Sequence, residues 1–108
     1  MSEIPLFSHV RSFDFARGDH GRDLEGERAC YVEGVVCAVI PAGERFDTPD
    51  PGGFVYPASC DRYAIRVTRL VFGGVEGDPE EIPTWACPPL NGTPTSMGRI
   101  TNYVEAIK

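Results

Sequence analysis

The sequence predicts an all-β chain, a small, partly closed barrel or sandwich of five to six strands with an SH3-like or OB-like outline and two long Pro/Gly-rich loops. Three observations carry this. Residues 29–40 place Cys30, Val32, Gly34, Val36, Ala38 and Ile40 at alternate positions, all apolar or small, which is the period-2 mark of one buried sheet face. Residues 61–72 alternate too, with Tyr63, Ile65 and Val67 on one side and Arg62, Arg66 and Thr68 on the other. Twelve Gly and ten Pro in 108 residues suit turns and loops, and no stretch carries a convincing amphipathic helical period.

Residues 1–8 read as a loosely held N-terminal arm and residues 9–108 as a single β domain. A chain of this length buries about two-thirds of its unfolded surface, enough for one core without staples. The first strand is expected over residues 9–15, with Phe13 and Phe15 on one face. Residues 16–28, dense in charge and Gly, form a loop. The strand over 29–40 stops at Pro41-Ala42-Gly43. The excursion 41–59 exceeds the length usual for a structureless loop, so a short element of its own is expected there, with its aromatics docking back on the body. In the strand over 61–72, Leu70 and Phe72 fall out of phase with Ile65 and Val67, which predicts a β-bulge near Arg69-Leu70. Within the second long loop, 73–98, Trp85 marks a short edge strand and Asn91-Gly92 a tight turn with positive φ angles. Residues 99–107 fit either a helical face (Ile100, Tyr103, Val104, Ile107) or an alternating strand. Their β-branched content favours a closing strand.

A formal net charge of −6 is opposite in sign to the footprint of a phosphate-neutralising protein and argues against direct nucleic-acid binding. Nine of the ten basic residues are Arg, whose planar fork suits carboxylates inside the protein or across an interface. No apolar run approaches the roughly 20 residues of a membrane span, and the first residues lack a secretion signal, so a cytoplasmic protein with no membrane partner is expected. The four cysteines, Cys30, Cys37, Cys60 and Cys87, form no Cys-x-x-Cys pair and read as packed free thiols, with no metal and no cofactor.

Candidate chemistry is sparse. Asp19, His20 and Asp23 have the residue types of a metal or general-base site, but no second histidine lies at ligand spacing and a solvated Gly-Asp turn is the better explanation. Arg62 and Arg66, with Arg69 further along, could form a basic stripe, or an outer face paired across the ladder with Glu33. Glu76, Asp78, Glu80 and Glu81, with Asp47 and Asp50 in the other long loop, make an anionic surface if the two loops lie side by side. Phe46, Phe54, Tyr56 and Trp85 all sit in those same loops, where aromatics beside carboxylates can build a groove for a peptide or a cationic side chain.

The absence of a nucleotide loop, nucleophile elbow or metal knuckle lowers the odds of catalysis. The expected function is a non-enzymatic protein-binding module that engages a partner with a basic surface through its acidic, aromatic-containing loops. A phage or plasmid accessory or inhibitor protein would fit that description. Two alternatives stand beside it: a small metal-assisted hydrolase using Asp19, His20 and Asp23, and a nucleic-acid binder using Arg62 and Arg66.

Overall fold

A computed structural model describes residues 4–13, 24–50, 52–78, 80, 84–94, 98, 101 and 103–107, and among these there is no helix. Eight strands follow one another: β1 (His9–Phe13), β2 (Cys30–Ile40), β3 (Phe46–Asp47), β4 (Phe54–Val55), β5 (Arg62–Phe72), β6 (Val75–Glu76), β7 (Trp85–Ala86) and β8 (Val104–Ala106). The main sheet runs β6-β5-β2-β1-β8 with β7 also on β5, and β3-β4 form a separate two-stranded sheet. All pairings are antiparallel.

The two long strands pair as the alternation predicts. Their register slips twice: Glu33 faces Arg69 but Gly34 faces Val67, leaving Thr68 unmatched, and Val36 faces Ile65 but Ala38 faces Ala64, leaving Cys37 unmatched. The first slip lies one residue from the expected bulge. It brings Leu70 and Phe72 onto the face of Val67 and Ile65, because partners in a ladder share a face.

Both faces of the sheet bury side chains. On the front, Val10, Val36, Tyr63, Ile65 and Val104 form the main core, with Ile4, Val39, Ala86, Leu90 and Tyr103 packed against it. On the back, Phe13, Ala29, Tyr31 and Val71 form a second cluster, in which the Phe13 and Tyr31 rings lie 5.7 Å apart. The expected single buried face of residues 30–40 is therefore corrected. Tyr31 and Glu33 are buried on the back, Val32 is only half-buried on the front, and beyond the Cys37 bulge Val39 joins Tyr63 while Ile40 stands opposite Arg62.

Glu33 organises the back face. At 8% exposure its carboxylate needs partners. Arg11 supplies two, with Nε at 3.1 Å and Nη2 at 2.9 Å from Glu33 Oε2, and Arg69 Nη1 adds a third at 3.4 Å. Arg11 continues to Glu105 at 3.3 Å, and Arg69 to Glu76. The charges thus alternate Glu105, Arg11, Glu33, Arg69, Glu76 across β8, β1, β2, β5 and β6, one residue from every strand on the main path. Both guanidiniums also lie over the Tyr31 ring, 5.1 Å and 5.9 Å from its centroid.

The described chain is all-β as expected, and its main sheet does not close into a complete barrel. Along its outer edge β5 meets the two-residue strands β6 and β7, a bridge from Arg62 to Pro89, and single backbone bonds such as Tyr63 N–H to Pro88 O and Val67 N–H to Thr84 O. At the other edge β8 has three residues, and the outward N–H and C=O of Val104 are both taken by the Asn91 side chain, at 3.2 and 2.7 Å. In the turn that presents Asn91, Gly92 has φ 92° whereas Asn91 is not in the left-handed region, so the expected pair of positive φ angles is corrected to one. At the chain's beginning, Phe7 N–H donates to Val36 O at 2.7 Å, and Ser8 O accepts from Val36 N–H at 3.1 Å.

Two substitutions test this architecture by urea denaturation followed by circular dichroism. A Cβ on Gly34 would stand 2.1 Å from the Arg66 carbonyl oxygen, so Gly34→Ala is expected to cost about 3 kcal/mol or more. Glu33→Ala, which removes the carboxylate shared by Arg11 and Arg69, is expected to cost about 2 to 3 kcal/mol. Glu105→Ala, at the 38% exposed end of the ladder, should cost under about 1 kcal/mol.

Candidate functional site

The first long excursion contains the β3-β4 hairpin, and several bonds tie it to the sheet. Gly43 N–H donates to Ala58 O at 2.8 Å across its base, and Ala42 N–H to Asp61 Oδ1 at 2.8 Å. At its far side Arg62 Nη2 donates to the Tyr56 carbonyl at 2.8 Å. Within the hairpin, Thr48 N–H bonds Gly53 O and Gly53 N–H bonds Asp50 O.

The hairpin docks on β7, so the two long loops do lie side by side. The Phe46 ring meets the Trp85 ring edge-on, with centroids 5.5 Å apart, and Trp85 Nε1 donates to Asp50 Oδ2 at 3.3 Å. A second edge-on pair, Phe54 with Tyr56 at 4.9 Å, completes the four aromatics named from the sequence. Three of the four rings are held: Phe46 and Trp85 are half-buried, and Phe54 carries the Arg45 guanidinium 4.1 Å from its centroid. Tyr56 is 73% exposed, though its backbone is fixed by Arg62.

Charge surrounds the rings in both signs. Asp47 accepts from Arg45 Nε at 2.8 Å, and Asp50 is committed to the indole. Arg66 lies over Trp85 at 5.9 Å, opposite it in the β5-β7 register. Sequence reasoning missed Arg45, whose partners lie two and nine residues on. An Arg-x-Asp spacing at the start of a hairpin is the only local signal for it.

The described acidic residues of the second loop have contacts of their own. Glu76 belongs to the charge ladder through Arg69. Asp78 Oδ1 accepts the Glu80 N–H at 3.0 Å, a local turn in which both residues are exposed. Glu81 lies outside the described residues, as do Asp19, His20 and Asp23 of the hydrolase alternative. The Arg62/Arg66 stripe is divided by its contacts, since Arg62 is turned to the Tyr56 backbone and only Arg66 offers a guanidinium, over Trp85. The Glu33 pairing considered for this face is made by Arg69 and Arg11.

Among the described residues no group of three or more His, Cys, Asp or Glu side chains is placed to hold a metal ion, and no helix is long and apolar enough to cross a membrane. The four cysteines are free thiols, each half-buried. Burial pushes the Cys87 thiol above its ordinary value, with Arg62 pulling the other way. No family model, no curated protein and no solved structure matches the chain.

The edge contact of Phe46 with Trp85 is open to a direct check. Phe46→Ala is expected to lower stability by about 1 kcal/mol. It should also shift the fluorescence of Trp85, the single tryptophan, to the red as the indole gains water.

Proposed function

We propose that the protein is a non-enzymatic binding module whose contact surface is the aromatic patch of the β3-β4 hairpin and β7, and that its partner is a protein presenting basic side chains. The observation that carries this reading is Tyr56, an exposed aromatic on an anchored backbone, standing against Phe54 in a patch that also holds Asp47 and Asp50. Rigid aromatics ordered before binding offer contact area at low entropic cost, which is how interface anchors act. The exposed ring of Tyr56 offers a surface to an incoming Lys or Arg, and the overall charge of −6 draws such a partner in.

The proposal extends to setting and class. An SH3-like or OB-like layout, a single domain over residues 9–108 and a cytoplasmic location all suit a small accessory or inhibitor protein of the phage or plasmid kind. The acidic loop residues Glu76, Asp78, Glu80 and Glu81 would then act by long-range steering, apart from the ring contacts.

Trp85 reports on this surface. Titration with an Arg/Lys-rich synthetic peptide is expected to change its fluorescence saturably, with affinity falling as salt shortens the screening length toward roughly 10 Å at 0.1 M. Tyr56→Ala should weaken that binding about tenfold with an unchanged urea midpoint. A Glu-rich peptide should not bind. Binding that ignored salt, or that survived Tyr56→Ala intact, would overturn the reading, and saturable binding of single-stranded DNA alone would favour Arg66 on Trp85 as a nucleic-acid contact.

A further inference from the structure

The turn over residues 90–93 is built on Asn91-Gly92, the dipeptide in which an asparagine carboxamide is most open to attack by the next backbone nitrogen, because Gly has no side chain to crowd it. Thr93 N–H closes the turn on Leu90 O at 3.2 Å, and the same carbonyl accepts from Thr93 Oγ1 at 2.7 Å and Thr101 Oγ1 at 2.8 Å.

In the fold both reacting groups are occupied. Gly92 N–H donates to Thr101 O at 2.7 Å, and Thr101 is 4% exposed. The Asn91 carboxamide is tied at both ends to Val104, with Nδ2 on its carbonyl at 2.7 Å and Oδ1 on its N–H at 3.2 Å. For the nitrogen to reach Cγ, the carboxamide has to leave Val104 and the Gly92 N–H has to leave Thr101. The reaction therefore waits on the turn parting from β8, a three-residue strand at the end of the sheet, where local opening is cheapest.

We infer that Asn91 is a site of self-modification, deamidating at a rate set by how often this turn parts from β8, and that the product no longer makes the tie to Val104. In the open form the Gly92 nitrogen, its proton taken by hydroxide, attacks Asn91 Cγ. The N–Cγ bond forms, the Cγ–Nδ2 bond breaks, and Nδ2 departs as ammonia with a proton returned by water. Water then opens the cyclic imide at either carbonyl, giving aspartate or isoaspartate. The net change is carboxamide plus water to acid plus ammonia, with no electron transferred. The acid ionises at neutral pH and then only accepts hydrogen bonds, so it meets the Val104 carbonyl oxygen where a donor stood. Nothing in this chemistry calls on the aromatic patch.

Intact-mass spectrometry of the full chain, incubated at mildly alkaline pH with and without urea, follows the reaction, and peptide mapping separates Asn91 from Asn102, the other asparagine. Loss at Asn91 is expected to be at least about tenfold slower in the fold than in urea. Glu105→Ala, which releases β8 from Arg11, should speed it about two- to fivefold in the fold and leave the rate in urea unchanged. Asn91→Asp, standing for the aspartate product, should raise amide hydrogen exchange at Val104 about tenfold without changing that at Val36. Equal rates with and without urea overturn the inference, as does a Glu105→Ala variant that reacts in the fold no faster than the parent. Those two comparisons decide even if Asn91→Asp fails to fold, and unchanged Val104 exchange in a folded Asn91→Asp also overturns it.

Discussion

The fold depends on a carboxylate that water barely reaches. Glu33 sits within β2, one of the two eleven-residue strands, and a charged group so placed is tolerated only between opposite charges. Arg11 and Arg69 meet that need from the two neighbouring strands, which ties the β1-β2 and β2-β5 registers to one another at a single residue. A slip of one residue in either pairing would turn one of the two arginines to the opposite face and leave the carboxylate half-compensated. The Thr68 bulge belongs to this arrangement. It lets Arg69 lie on the back with Glu33 while Val67 and Ile65 stay in the front core, and Thr68 Oγ1 donates to the Glu33 carbonyl at 3.2 Å. Through Glu105 and Glu76 the same network reaches the outermost strands, which have few ladder bonds of their own.

With the sheet so pinned, the loops are positioned from it by a few strong local ties. β7 is held to β5 through Arg66 and Ile65, which fixes Trp85, and Trp85 in turn receives the β3-β4 hairpin through Phe46 and Asp50. Arg62 grips the other end of the excursion at Tyr56. Binding groups carried on loops act with precision only when the scaffold supplies such fixed points. The front and back faces thereby differ: the back carries the charge network and the ring-bearing edge, whereas the front carries the main core.

Much of this was legible in the residues. Period-2 alternation in the two long strands is a strong signal, and it located both along with their bulge, because Leu70 and Phe72 are visibly out of phase with Ile65. The length and aromatic content of residues 41–59 pointed to an element of its own, which is the β3-β4 hairpin. Alternation could not show that Tyr31 and Glu33 face a second buried surface. A polar residue in an apolar run reads as solvent-facing, and what buries Glu33 is Arg11 and Arg69, 22 residues before it and 36 after. Barrel closure was likewise beyond local pattern, since it depends on what the edge strands meet. The aromatic patch was found by composition, but its arginine stacking was not.

The side chain of Asn91 gives the sheet a property that its open topology would otherwise deny it. A carboxamide has the same donor and acceptor as a peptide unit, and here it occupies the place that a neighbouring molecule's backbone would take alongside Val104. Because β8 is three residues long, that one amide leaves too little free backbone to template another chain. An intruding β-segment would first have to evict a contact of 2.7 Å, so the margin at Val104 is guarded against backbone pairing by another chain.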